Sequence, residues 1–244
     1  MTQWARHKRS GRIITPEEFV SLEGAAFRDR GIYPSCPVCD NDLHPYGVHS
    51  ISVTSRFDHP NRTDCPLSST PDPRFKHLRP AGWDFAAGEA LRREFCEPPR
   101  LREAYAVCRA ICFGRLRINE FVAFCKEADR KRVWAYKDLP LWVVPYILTT
   151  LADLEPEQVG APEVLKNARR FPLRFVLKKK AKTAIDEMWR TPQTCSLAPV
   201  FADSGKPMSR APIVIGDDQI ESTRCDVGWI SDSVVRGLRG CCGI

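Results

Sequence analysis

The chain has 244 residues, 43% of them apolar and 27% charged, with 37 Lys and Arg against 30 Asp and Glu. These proportions exclude a wholly disordered chain and match an ordinary globular protein, long enough for one large domain or two small ones with a real core. The formal charge of +7 is a mild basic excess, too small by itself to establish a polyanionic partner.

Residues 1–14 read as a basic tail bearing Arg6, Lys8, Arg9 and Arg12 and no acid. Charges stand where the apolar run of a signal peptide would begin, so no leader is expected. Thr15 is placed to cap a helix that starts at Pro16, with Glu18 completing a capping box. That helix is expected to bury Phe19, Leu22 and Phe27 and to stop near Gly31. Residues 32–80 are rich in proline and loop residues and hold three cysteines and four of the five histidines. So few apolar residues need a staple to stay folded.

From Trp83 to about Leu154 the periodicity turns helical. Leu101, Tyr105, Cys108 and Cys112 share one face. Asn119 is placed to cap a second helix that buries Phe121, Phe124, Cys125 and Ala128. Leu139–Leu154 reads as a third helix beginning at an Asp138 cap. Its uncharged stretch, Leu139–Ala152, is shorter than the roughly 20 residues that span a bilayer and is interrupted by Pro140 and Pro145. No membrane contact is expected, and the protein reads as cytoplasmic. Further on, Phe171–Leu177 alternates as an edge strand because Pro172 excludes a central one. Ala211–Ile215 is a second short strand, 191–212 and 216–228 read mostly as loops, and Gly237, Gly240 and Gly243 mark a loose tail. The expected fold class is α+β and predominantly helical. A basic tail and helix (1–31) lead into a small zinc-stapled loop and hairpin module (32–80). A helical domain (81–155) and a mixed basic strand and loop region (156–244) follow.

The sharpest chemical feature is Cys36-Pro37-Val38-Cys39. Two thiolates two residues apart can meet one metal ion within a single turn, and thiolates with imidazole suit tetrahedral zinc. His59 and Cys65 supply a second pair, giving C-x2-C, nineteen residues and H-x5-C. A gap of that length admits a hairpin, for which Val48–Thr54 is the candidate strand. His44, His49 and His77 compete with His59 as the ligand. Eleven cysteines, an odd number without secretory features, fit reduced thiols better than a disulfide framework. Four such ligands would close the site, which makes its role structural.

The run from Tyr33 through Cys36 and Cys39, followed by Arg56-Phe57-Asp58-His59 and then Cys65, resembles the N-terminal zinc-binding segment of the competence protein CoiA family, over about 33 residues. The resemblance implies the same four zinc ligands. It also implies a following metal-dependent nuclease domain and a bacterial or phage setting. Such a nuclease places an acid and an acid-x-Lys on neighbouring strands to hold magnesium. No Glu-x-Lys tripeptide occurs in the chain, so its catalytic residues stay unassigned.

Lys166, Arg169, Arg170, Arg174, Lys178, Lys179, Lys180 and Lys182 lie within 17 residues without one acid, interleaved with Phe171 and Phe175. Such a run can follow phosphates, and an exposed aromatic can stack on bases. The alternative places both phenylalanines in the core beneath a solvated basic face. Arg6, Lys8, Arg9 and Arg12 would form an auxiliary arm. Motifs for nucleotide-binding loops, serine hydrolase elbows, zincins and zinc deaminases are absent. Cys108, Cys112 and Cys125 read as packed core thiols. The leading expectation is a zinc-stabilised protein that binds DNA or RNA through its basic face. The rivals are a divergent CoiA-like nuclease and an interaction subunit whose apolar face is Leu139–Ala152.

Overall fold

A computed structural model describes residues 2–37, 40–59, 78–157, 169–179, 184–204, 206–217, 220, 223 and 226–241. The chain forms two compact units. One comprises Met1–Arg79 with Arg130–Arg132, and the other Pro80–Asp129 with Val133–Ile244. Among the described residues the architecture is mixed α+β, with seven α-helices and seven short strands. None of these helices is long and apolar enough to cross a membrane.

The first unit is built on small hairpins. Strand β1 (Ala5–Arg6) pairs antiparallel with β2 (Ile13–Ile14), and β3 (His44–Tyr46) with β4 (Arg56–Asp58). The expected basic tail is therefore a folded hairpin. Ala5 and Ile14 are buried, and three of the four Lys and Arg side chains between them meet acids: Arg6 lies 3.6 Å from Asp40, Lys8 pairs with Asp42, and Arg9 lies 4.0 Å from Glu23. Helix α1 (Pro16–Glu23) starts as the sequence dictates. Thr15 Oγ1 accepts the Glu18 N–H, and the Glu18 carboxylate accepts the Thr15 N–H at 2.8 Å. It ends at Gly24, with φ +71°, rather than near Gly31. A 3-10 turn (Ala25–Phe27) then brings Phe27 under Phe19 (ring centroids 5.3 Å apart), while Leu22 is left exposed. Phe19 also meets Phe57 edge-on, and Phe27 meets Tyr33. The hairpin between the proposed ligand pairs exists, but Val48–Thr54 is its connecting loop and not a strand. Gly47 turns the chain at φ +75° and Ile51 is fully exposed, so this β-branched run has no apolar face to bury against.

In the second unit, helices α2 (Phe85–Phe95), α3 (Pro98–Ile111) and α4 (Ile118–Arg130) bury the expected faces: Leu101, Tyr105, Cys108 and Cys112 from the α3 region, and Phe121, Phe124, Cys125 and Ala128 from α4. Asn119 does not cap α4 but lies inside its first turn. The Glu120 carboxylate instead accepts the Arg117 N–H at 2.8 Å. The expected third helix shrinks to a 3-10 turn (Leu141–Val143) and a single short helix, α5 (Val144–Leu148), because Asp138 takes φ +58° and Pro140 holds an extended backbone. This stretch is the centre of the unit's own core. Val143, Val144, Tyr146, Ile147, Leu148 and Leu151 are all buried, which removes the large partner-facing surface expected there.

Gly88 of α2 shows how tightly this core closes. A methyl group there would stand 2.7 Å from the Ala135 Cα and 2.9 Å from its nitrogen. Backbone cannot yield as a side-chain tip can. Gly88→Ala is therefore expected to destabilise the protein by about 1–3 kcal/mol, although alanine is the better helix former. Urea unfolding would read this as a lower midpoint at unchanged slope.

Strand β5 (Leu173–Lys178) is the edge strand expected after Pro172, pairing with β6 (Ser196–Phe201), which pairs with β7 (Ile213–Val214). The central strand β6 lies in a stretch read as loop, and Pro199 explains why. Its carbonyl accepts the Met208 N–H at 3.1 Å, so its nitrogen also faces away from β5, beyond the point where the β7 ladder ends. Helix α6 is Glu187–Arg190. Helix α7 (Asp232–Leu238), followed by a 3-10 turn (Arg239–Cys241), replaces most of the expected loose tail, and Gly237 lets it approach Ile118.

Candidate functional site

Of the four proposed zinc ligands, Cys36 and His59 are described. Cys39 and Cys65 lie outside the described residues, as does the competing His77. The turn around Cys36 is closed by backbone bonds. The Asp40 N–H donates to the Cys36 carbonyl at 3.0 Å, and the Cys36 N–H donates to the Asn41 carbonyl at 2.8 Å. Asp40 occupies the left-handed region at φ +56°, which lets the chain reverse in so few residues. Ser35 then bridges Asp42 on one side and Arg6 on the other.

His59 directly follows β4, whose Asp58 is in register with His44. The N-terminal segment joins both regions, since Thr2 pairs with Phe57 through two backbone bonds and Arg6 pairs with Ser35 through two more. Cys36 is completely buried and His59 nearly so, its Nδ1 sealed from solvent. His49 is exposed in the hairpin loop, and His44 lies flat against Tyr33, ring centroids 4.7 Å apart. Burial thus separates His59 from its two described competitors. Among the described residues no group of three or more His, Cys, Asp or Glu side chains is gathered to hold a metal ion.

The basic run divides in the second unit. Lys166, Lys180 and Lys182 lie outside the described residues. Arg169 is buried and its guanidinium is consumed by the protein. Nε donates to the Glu155 carbonyl at 2.6 Å, Nη1 to the Arg115 carbonyl at 2.7 Å, and Nη2 pairs with Glu120. Arg174 makes a two-pronged pair with Asp153, both bonds 2.8 Å. These two residues, expected on phosphates, are structural cations here. Arg170 and Lys178 are exposed, and Lys179 is half-buried, with desolvation pulling its amine below the ordinary lysine range.

The two phenylalanines also part. Phe175 is core, whereas Phe171 is 56% exposed and braced edge-on by Phe201 at 5.5 Å. Strand alternation places Leu173, Phe175 and Leu177 inward, which a period of two makes legible. The partners of Arg169 come from distant stretches and leave no local signal. The expected thiol packing holds for Cys108 and Cys112: both are buried, and desolvation pushes both thiols up. No family model, curated protein or solved structure matches the chain.

Proposed function

We propose that the chain is a zinc-stapled protein that binds single-stranded nucleic acid across the exposed side chains of Arg170, Phe171 and Lys178, at the two ends of β5. The observation that carries the binding is the exposed Phe171, braced by Phe201 and adjoining Arg170 at the head of an edge strand that ends in Lys178. A ring beside cations offers stacking and phosphate contact together. Zinc would be held by Cys36, Cys39, His59 and Cys65. The closed turn at Cys36 and the burial of His59 support that assignment. The metal would fold the first unit rather than act chemically.

Fluorescence anisotropy with a labelled single strand tests the binding. Affinity is expected to fall steeply between about 50 and 200 mM salt. Phe171→Ala is expected to weaken binding by about 1–3 kcal/mol with little change in the salt slope. Lys178→Glu should weaken binding and flatten the slope. If the single strand fails to bind at the lowest salt, or binds equally well to both variants, the reading is wrong.

A further inference from the structure

The turn joining β1 and β2 holds a hydrogen-bonded relay of three side chains. From it we infer a nucleophilic serine, Ser10, with His7 as its base and Glu23 as the carboxylate that orients His7. The Ser10 hydroxyl lies 3.0 Å from His7 Nδ1, and the Ser10 N–H donates to the same nitrogen at 3.2 Å. Nδ1 is therefore an acceptor without a proton. The ring proton sits on Nε2, which donates to Glu23 Oε1 at 2.8 Å. That assignment comes from the hydrogen-bond pattern alone. A backbone N–H aimed at Nδ1 from 3.2 Å shows that this nitrogen presents its lone pair, and not a hydrogen, to Ser10.

Burial follows the same division of roles. His7 is 7% exposed and the Glu23 side chain equally covered, while Ser10 is open to solvent. The His7 hydrogen bond, opposed by desolvation and aided by the nearby guanidiniums, holds the Glu23 carboxyl below its ordinary range. Arg9 and Arg30 stand 4.0 and 3.6 Å from its oxygens. The turn itself is fixed. The Gly11 N–H donates to the His7 carbonyl at 2.8 Å with φ +70°, and the His7 N–H donates to the Arg12 carbonyl at 2.8 Å. Arg12 also donates its N–H to the Ser10 oxygen at 3.4 Å, which directs the hydroxyl hydrogen toward the imidazole.

The chemistry that follows is acyl transfer. As Ser10 Oγ bonds to the acyl carbon, its proton passes to His7 Nδ1, and the resulting imidazolium is stabilised by Glu23 through Nε2–H. The bond to the leaving alkoxide or thiolate then breaks as Nδ1 returns the proton to it. Water repeats the sequence and releases the acid. Compared with the common serine–histidine–carboxylate arrangement, the two ring nitrogens exchange places and the roles are kept. The substrate class is an activated ester or thioester. This inference is independent of nucleic-acid binding.

The test is p-nitrophenyl acetate with the full chain, following p-nitrophenolate release and locating the adduct by peptide mass. A burst with an acetyl group on Ser10 is expected. Ser10→Ala should remove both with only a small loss of thermal stability, because its backbone N–H still donates to His7 Nδ1. Glu23→Gln, which keeps the shape, should slow the burst by about 10²–10⁴-fold. Acetylation confined to lysines such as Lys8, or a burst that survives Ser10→Ala, would overturn the assignment, as would no adduct at all.

Discussion

Purified protein is expected to carry one zinc ion per chain, and Cys36→Ser or His59→Ala to release it and unfold the first unit. Among the described residues the apolar centre of that unit is small, built around Phe19, Phe27, Leu43 and Phe57 with short strands of two or three residues. Strands that short do not stand alone. A structural zinc contributes about 10–16 kcal/mol in comparable small modules, far more than such a core supplies. Losing either ligand should therefore abolish the folded unit at room temperature rather than shift its melting point by a few degrees. His49→Ala removes an exposed loop histidine and should keep both metal and stability. Elemental analysis with far-ultraviolet dichroism reads both results. Metal-free protein that is folded, or a His59→Ala variant that keeps its zinc, would remove the proposed centre.

The second large effect is expected at Arg169, where function was anticipated and structure is found. Arg169→Leu removes a guanidinium that bonds two carbonyls and pairs with a carboxylate whose side chain is only 11% exposed. Breaking a buried pair from one side leaves the other charge uncompensated and costs about 3–5 kcal/mol. Glu120 responds to pH in a definite direction. Burial raises its pKa, but its bonds from Arg117 and the charges of Arg169 and Arg117 outweigh that, so the folded value lies below the ordinary one. A depressed carboxyl stabilises the fold fully above the unfolded-state value of about 4.3, and that contribution is lost as pH falls through the folded value. Arg169→Leu should therefore lower stability at neutral pH and make less difference in strong acid, where Glu120 is protonated. Denaturant midpoints at both pH values measure it. A neutral-pH loss under about 1 kcal/mol would show the pair to be worth no more than a surface bridge.

Much of the local structure was legible because its causes are local. The capping box at Thr15 and Glu18 needs only the residues within it. The faces of α3 and α4 follow from the 3.6-residue period, and β5 from alternation after a proline. Errors arose where a distant partner or a backbone detail decided. The Asp138 geometry cut the third helix short, and Pro199 hid a central strand that tolerates it because its nitrogen faces away from β5. The relay at Ser10 has no local signal, because Glu23 is 16 residues from His7 along the chain. A local signal does exist for the Cys36 turn: an aspartate directly after C-x2-C can adopt the left-handed conformation that closes it.

The sequence by itself determined the helical faces, the edge strand, the core thiols and the pattern of zinc-suited residues, since each depends on spacing along the chain. Only the tertiary structure decided which charges are buried in the fold and which are exposed. Arg169 and Arg174 read the same as Arg170 and Lys178 in a row of letters, yet the first two meet carboxylates from elsewhere and the last two face water. A charge is covered or exposed according to what lies opposite it in space, and that neighbour is chosen by the packing of the whole unit.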